Sequence, residues 1–377
     1  MENLYLTLDY GSSALKCLCS NDVSVPPHHF VMEPEIISVQ STAIEAYRHK
    51  AGFKGDPIPH VFIGIDGCYD AVGKLARQQF QATSNLAELK SSRAVQRTCA
   101  AIWVAAQKCL LGKKFRLFLS CLLPPGELMD RDVLERDLQH ALKSFDTPTG
   151  KHQVSMSLFS CHPEGGGLSL WYLDKRGDIQ DRSLGVIMMG HRNVSCFRIE
   201  AGVYQKFRSS NLGFATVVSS IQDNTAGYTE LDITKVVAPY LMSKDRDRTI
   251  LQQLLLQQTP QAQAVELEKL LKAIEVAKSN YWNSLNQWLS AQLPKIDEIV
   301  VGGGVAELFR EELIDRFRDK LPNMPGREHS AMFFHGGLKY PDRVTIPSEL
   351  HDRFADVYCL WEKDTYATAL HFMNFRK

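Results

Sequence analysis

The sequence lacks a net charge. Among its 377 residues, 43 Lys and Arg balance 43 Asp and Glu, and apolar residues make up 44% of the chain. Proteins that bind nucleic acid through its phosphates usually carry a basic excess, so this balance argues against direct nucleic-acid binding. The length and the apolar share are those of a globular protein with two domains, or one large two-lobed domain.

Long apolar runs are also missing. No stretch approaches the roughly 20 apolar residues of a membrane span. The longest, Cys99 to Leu111, is interrupted by Gln107 and Lys108 and predicts a buried helix. The N-terminal residues show no basic region followed by an apolar block, and no basic amphipathic stretch is present, so we expect a cytoplasmic protein without membrane contact.

Several common site motifs are absent. The nine cysteines include no CxxC pair, and Cys161 with His162 does not supply the four ligands of structural zinc, which predicts reduced thiols. Gly112-Lys113 lacks the partner glycine of a P-loop, because Gln107 stands in its place. The chain also has no GxGxxG, HExxH or GxSxG sequence, which excludes the usual forms of those sites.

Two strand–turn–strand units are present instead. Leu4–Leu8 and Leu15–Cys19 alternate like strands on either side of a Gly-Ser-Ser turn, which predicts a β-hairpin. Leu184–Met189 and Asn193–Ala201 repeat this pattern around Gly190. Two similar halves suggest an internal duplication.

The second half is richer in helix. Val265–Leu293 holds apolar residues at helical spacing and predicts the longest helix of the chain. The Gln-rich segment Gln252–Gln263 predicts a helix that breaks at Pro260. After these, Glu298–Val301 predicts a buried strand, followed by three glycines and a helix over Val305–Leu321.

The first turn carries chemistry suited to a phosphate. Exposed backbone N–H groups in a tight turn form an anion-binding nest, serine hydroxyls add donors, and a lysine adds charge. A carboxylate beside a phosphate requires a divalent cation between them, and Mg²⁺ is such a cation. Ordinary turn chemistry is the alternative explanation. The residues concerned are Asp9, Gly11, Ser12, Ser13 and Lys16.

The glycine run Gly302–Gly304 is the second candidate. A strand that leads into glycines and then a helix leaves helix N–H groups open and lets a ligand approach the backbone closely. A tight strand–helix turn is the alternative.

Together, these segments resemble a known superfamily. Asp9-Tyr-Gly-Ser-Ser-Ala-Leu-Lys16 resembles the first phosphate loop of the actin-like ATPases, and Ile299–Leu308 resembles their adenosine loop. Within that group the chain is most similar to the bacterial ParM plasmid-segregation actins and their archaeal relatives. The supporting segments are Ala71–Ala76, Leu119–Pro124, His162–Gly165, Ser210–Gly213 and Arg353–Val357.

The resemblance implies an α/β fold with two lobes, the duplicated ribonuclease-H-like fold of actin, and an interdomain nucleotide cleft. Domain I would hold residues 1–183 plus the C-terminal helix 364–377. Domain II would hold residues 184–350.

The resemblance also implies a role for each site residue. Asp9 would hold Mg²⁺ through water, and Glu164 would be the catalytic residue that orients the attacking water. The nucleotide, ATP or GTP with Mg²⁺, would contact Asp9, Gly11, Ser12, Ser13, Lys16, Gly190, Asn193, Gly302, Gly303 and Gly304.

One loop departs from the family pattern. Aligned on Gly190, the metal-side aspartate of the second phosphate hairpin becomes Met188, and the later Thr-Thr-Asp becomes Asn193-Val194-Ser195. A thioether does not hold a water-clad Mg²⁺ as a carboxylate does. Backbone N–H groups near Gly190 and the Asn193 amide could still bind phosphate. We therefore expect nucleotide binding with slow or impaired ATP hydrolysis.

The resemblance implies self-association into filaments for plasmid or DNA segregation, with DNA reached through a DNA-binding adaptor protein rather than directly. A non-polymerising actin-fold pseudoenzyme, acting as a scaffold or adaptor, is the main alternative. A small-molecule kinase of the same fold is a third, although Met188 and Ser195 offer no carboxylate base for it.

Overall fold

The computed structural model describes residues 1–51, 55–83, 89–177, 182–243, 245–318 and 331–374. Their contacts divide the chain into two compact units. Unit 1 comprises Met1–Gly177 with His335–Lys377, and unit 2 comprises Asp178–Phe334. The chain thus returns to unit 1 at His335, whereas the sequence analysis extended domain II to residue 350.

The described strands form two sheets, one in each unit. In unit 1 the strands are β1 (Asn3–Tyr10), β2 (Leu15–Ser20), β3 (His28–Met32), β4 (Ile36–Val39), β5 (Phe62–Ile65), β6 (Cys68–Val72), β7 (Lys114–Leu123), β8 (Phe145–Thr147) and β9 (Gly150–Pro163). In unit 2 they are β10 (Ser183–Met189), β11 (Val194–Glu200), β12 (Val203–Ser210), β13 (Glu298–Gly302) and β14 (Met332–Phe334).

The α-helices cover these sheets. Among the described residues they are α1 (Ser41–Ala51), α2 (Lys74–Phe80), α3 (Ala94–Lys108), α4 (Arg131–Ala141), α5 (Gly166–Arg176), α6 (Phe214–Asp223), α7 (Glu230–Met242), α8 (Pro260–Gln292), α9 (Arg310–Phe317), α10 (His351–Leu360) and α11 (Tyr366–Asn374). A π-helical turn over Trp361–Thr365 joins α10 to α11. No helix in the described ranges is both long and apolar enough to cross a membrane.

Five strands of the unit 1 sheet have the same topology as the five-stranded sheet of unit 2. Unit 1 contains the strand order β3-β2-β1-β7-β9, in which the first two pairings are antiparallel and the next two are parallel. Unit 2 has the order β12-β11-β10-β13-β14 with the same sequence of directions. The structure thus supports the internal duplication that the two hairpins suggested.

Side-chain alternation along β1 decides which helices meet the first turn. Leu4, Leu6 and Leu8 enter the core that contains Trp103 of α3. Tyr5 lies on the opposite face, in the core that contains α10. By this alternation Asp9 lies on the same face of β1 as Tyr5. The helix that covers this face, near Asp9, is therefore α10.

Three helix predictions need correction. Pro260 is the first residue of α8 rather than a break, because Thr259 caps the helix and proline is compatible with its first turn. The segment after the glycine run begins with a 3-10 turn over Ala306–Phe309, and only then does α9 begin. The predicted end of that helix, at residues 319–321, lies outside the described residues. The last helix begins at Tyr366 rather than 364, and residues 375–377 also lie outside them.

Candidate functional site

The first phosphate-loop candidate is a tight hairpin between β1 and β2. The Gly11 amide donates to the Asp9 carbonyl at 2.9 Å, and the Ala14 amide donates to the Gly11 carbonyl at 3.2 Å. A Cβ on Gly11 would lie only 2.5 Å from the Ala14 carbonyl oxygen. Glycine is therefore needed here so that the backbone can turn closely.

Asp9 and Lys16 form an ion pair across this hairpin. The antiparallel register places the two residues directly opposite each other, which explains their separation in the sequence. The Asp9 carboxylate is almost fully buried. A carboxylate and an ammonium group are thus held together beside the turn that presents the serines.

The two serines have different surroundings. The Ser12 hydroxyl oxygen is buried and has no hydrogen-bond partner among the described residues. Such an orphaned group is unfavourable unless a ligand or water completes it. Ser13 is exposed, and its hydroxyl accepts a hydrogen bond from Arg353 of α10 at 3.3 Å. The turn therefore offers one hydroxyl to a ligand and is attached to α10 by the other.

Glu164 follows the last residue of β9. Its amide donates to the Leu123 carbonyl at 2.7 Å, which fixes the backbone beside the end of β7. Its side chain forms an ion pair with Lys90, which is only 5% exposed. Burial raises the pKa of Glu164, while the charge of Lys90 opposes that rise. Asp9 and Lys16 also act on Glu164 electrostatically, so these predicted site residues of unit 1 form one cluster.

The helix after Glu164 is anchored by Asp356 of α10. The Asp356 carboxylate accepts hydrogen bonds from the amides of Gly165 at 2.6 Å and Leu168 at 3.0 Å. A Cβ on Gly167 would lie 2.1 Å from the Asp356 carbonyl oxygen, so the two helices touch at their backbones. Burial raises the pKa of Asp356 to about 7 despite these two hydrogen bonds.

The second hairpin, in unit 2, packs on the start of α6. The Gly190 amide donates to the Asn193 carbonyl at 2.9 Å, which closes the turn. The amides of Phe214 and Ala215 then donate to the carbonyls of Gly190 and His191, at 3.2 and 2.8 Å. The predicted Gly190 and Asn193 are thus brought together in a turn at a helix N-terminus.

The glycine run passes over the end of β10. Gly303 has a φ of +92°, and a Cβ there would lie 2.3 Å from the Met189 carbonyl oxygen. The Val305 amide donates to that same carbonyl at 3.2 Å. Gly302 pairs with Met188 in the parallel register of β10 and β13. The glycine run and the second hairpin therefore meet within unit 2 at the end of β10.

Comparisons with known proteins find similar folds but no similar sequence families. No protein-family model matches the chain, and no curated protein matches it. Solved structures do match. Bacillus thuringiensis ParM with ATP is 15% identical to this chain. The match covers 100% of both chains and has a TM-score of 0.59. Ta0583, an archaeal actin homolog, is 14% identical over 98% of this chain and 100% of its own, with a TM-score of 0.55.

The fold of this chain is actin-like. A 15-stranded ParM filament from Clostridium botulinum also shares it, at 14% identity and a TM-score of 0.52, over 96% of this chain and 99% of that one. These identities are too low to establish more than the fold. The predicted α/β class is confirmed by the two sheets, their helices and this likeness.

Met188 lies near the end of β10. It is only partly buried, and it pairs with Ser195 in the register of β10 and β11. The Ser195 hydroxyl hydrogen-bonds the Ser209 hydroxyl at 2.9 Å and accepts from the Asn193 amide at 3.2 Å. The register partners of Met188 are thus uncharged, namely Ser195 on β11 and Gly302 on β13.

Three charged residues of the site were not predicted as such. Arg353 and Asp356 lie in a segment that supported the resemblance, and the alternation of β1 could have indicated that α10 meets the phosphate loop. Lys90 had no sequence signal, since it belongs to no motif and is 74 positions away from Glu164.

Proposed function

We propose that this chain is a nucleotide-binding, filament-forming protein of the actin-like type that hydrolyses ATP slowly. The observation that carries the proposal is the β1–β2 hairpin, in which a buried Asp9–Lys16 pair adjoins the orphaned Ser12 hydroxyl. Bacillus thuringiensis ParM, whose chain has the same fold, has been solved with ATP and with AMPPNP.

The residues of unit 1 fit a nucleotide phosphate. Ser12 has a buried hydroxyl without a partner among the described residues, and Lys16 has a charge that a phosphate oxygen would attract. Arg353 lies at the same turn through Ser13. We propose that Gly11, Ser12, Ser13 and Lys16 bind the β- and γ-phosphates.

The residues of unit 2 fit a ligand that approaches the backbone. Gly302, Gly303 and Gly304 have no side chains to exclude a nucleoside, and Gly303 already lies against the backbone of Met189. The Gly190 turn lies at the N-terminus of α6, and the side-chain amide of Asn193 adds a hydrogen-bond donor. We propose that these residues contact the rest of the nucleotide, whether ATP or GTP.

The donor set fits Mg²⁺ only in part. Asp9 supplies one buried carboxylate that could hold the ion through water, whereas Met188 supplies a thioether that Mg²⁺ does not favour. When bound, Mg²⁺ would neutralise phosphate charge during transfer to water. Glu164 would orient the attacking water by accepting a hydrogen bond from it. Because one carboxylate is missing from the pattern, we propose slow hydrolysis.

Filament formation is proposed from two features. One solved structure of the same fold is named as a filament, and a chain without net charge opposes its own association least. DNA or plasmid segregation would then require an adaptor protein, since the charge balance does not favour direct binding. We propose that the protein is cytoplasmic. Its two actin-like domains would follow the two compact units, so that residues 335–350, which the sequence analysis assigned to domain II, would belong to domain I.

The competing proposal is a non-polymerising scaffold, and Met188 is the observation that favours it. Pelleting in ATP, ADP or no nucleotide, followed by negative-stain microscopy, separates the two. We expect filaments that sediment with ATP. Nucleotide binding without any sedimentable polymer would support the scaffold instead. Hydrolysis as fast as in active actin-like ATPases would overturn the slow-hydrolysis proposal.

A further inference from the structure

Lys90 is a buried lysine directly paired with Glu164. It is 5% exposed, and its ammonium group contacts Oε1 of the glutamate. An isolated charge of either kind would be strongly disfavoured in such surroundings, so each group depends on the other. Neither the fold nor the resemblance assigns any role to this lysine.

The backbone on both sides of this pair is fixed. The Ser91 amide, next to Lys90, donates to the Glu127 carboxylate at 2.7 Å, and the Ser91 hydroxyl donates to Asp130 at 3.1 Å. Glu127 is itself buried. Glu164 is held by the hydrogen bond of its amide to Leu123. Both side chains therefore extend from backbone that is held in place by hydrogen bonds.

We propose that Lys90 is a positioning residue, which holds the Glu164 carboxylate in its charged form and binds Oε1, so that Oε2 receives the attacking water. This inference rests on the proposed function, in which Glu164 orients that water. A neutral carboxylic acid would be a poor acceptor for the proton of water. The lysine thus acts on the reaction through the glutamate and not through the nucleotide.

The other charges around Glu164 do not replace Lys90. Asp9, at the end of β1, raises the pKa of Glu164, and Lys16, on β2, lowers it. These two groups form an ion pair and have opposite charges, so their effects on the pKa of Glu164 oppose one another. Asp356 of α10 binds the amides of Gly165 and Leu168, and Glu127 binds the Ser91 amide. His162 lies two residues earlier on β9 and is within 3.6 Å of Asp364.

The first test is the pH profile of phosphate release in Lys90→Met, with Lys90→Arg as the conservative variant. Without the lysine, Glu164 takes up a proton at higher pH, so we expect Lys90→Met to lose about ten-fold or more in rate at neutral pH. The loss should shrink as the pH rises, and Lys90→Arg should restore much of the rate. Nucleotide affinity should stay within about three-fold of wild type.

The matched control is Lys151→Met, which removes an exposed lysine from the same unit. It should leave both the rate and its pH profile unchanged. A Lys90→Met rate that is lower by the same factor at every pH, and is not restored by Lys90→Arg, would mean a structural defect only and would overturn the proposal.

The second test does not require turnover. The infrared carboxyl band of Glu164, assigned by its loss in Glu164→Gln, is titrated in wild type, in Lys90→Met and in Lys90→Gln. We expect the glutamate to become protonated at higher pH in both lysine variants, and an unchanged titration would overturn the proposal. If the titration shifts while the chain binds no nucleotide, the pairing stands and the proposed function fails. If Lys90→Met does not fold, the titration of Lys90→Gln and the phosphate-release rate of Lys90→Arg test the proposal in its place.

Discussion

Lys16 forms an ion pair with Asp9 directly across the β1–β2 hairpin. The pair lies at the turn where the Ser12 hydroxyl is buried without a partner among the described residues. A phosphate bound at this turn would give that hydroxyl an acceptor and would compete with Asp9 for the lysine. The hairpin is therefore the part of the chain where a nucleotide should have the strongest effect.

Replacement of Gly303 by alanine should lower the free energy of unfolding by more than the strain of a positive φ alone explains. Gly303→Ala introduces a Cβ 2.3 Å from the Met189 carbonyl oxygen at a φ of +92°. Left-handed strain accounts for about 1–2 kcal/mol, and the backbone clash should bring the total to about 3 kcal/mol or more. Urea unfolding measures the difference.

Gly202→Ala is the matched control for that prediction. Gly202 also has a positive φ, +74°, but a Cβ there would meet nothing within 4 Å. It should lose only the strain, about 1 kcal/mol. Equal losses in the two variants would show that the glycine run does not need its close approach to β10.

The buried Asp356 should make stability fall as the pH rises. Its pKa is raised by burial to about 7, above its ordinary value of 3.8. Between about pH 4 and about pH 7 the unfolded chain has lost this proton while the folded chain keeps it, so the contribution of Asp356 declines through that window and is constant above it.

Asp356→Asn removes the titrating group while keeping one acceptor for the amides of Gly165 and Leu168. The stability of wild type relative to this variant should therefore decrease from about pH 4 to about pH 7 in urea unfolding. Asp132→Asn, which changes an exposed aspartate, should show no such trend. A difference between wild type and Asp356→Asn that is the same at every pH would contradict the burial argument.

A carboxylate introduced at position 188 should accelerate hydrolysis. Met188 pairs with Gly302 and Ser195 and is only partly buried, so an aspartate can be accommodated there. With Mg²⁺, Met188→Asp should raise phosphate release by about ten-fold or more, because correct placement of the γ-phosphate recovers such factors. Met188→Asn, which has the same shape without the charge, should not. An equal gain without Mg²⁺ would argue against a role in metal binding.

Much of the fold could be predicted because local patterns and topology agree. The alternation on either side of Gly11 predicted the first hairpin, and its repetition around Gly190 indicated the duplication that the two sheet orders support. Pro260 was misjudged because proline either ends or begins a helix, and the Thr259 cap decides which. For Gly303 the sequence indicated close approach of a ligand, with a tight turn as the alternative, but its contact with Met189 depends on the parallel pairing of β10 and β13.

The charged surroundings of the site were less predictable, since they depend on tertiary packing. Lys90 reaches Glu164 only because the segment before α3 and the end of β9 fold against each other. Asp356 reaches Gly165 because α10 packs on α5 at glycine positions. Neither pairing has a spacing that a sequence pattern could reveal.

Calorimetric titration of the purified chain with ATP in the presence of Mg²⁺ tests the central claim most directly. Wild type and the exposed-lysine variant Lys151→Met should bind the nucleotide saturably. Lys16→Met should bind it about ten-fold more weakly or worse, since a charge-assisted hydrogen bond to phosphate contributes about 1.5–3 kcal/mol. No binding by wild type, or equal binding by Lys16→Met, would contradict the assignment of the β1–β2 hairpin as a phosphate-binding loop.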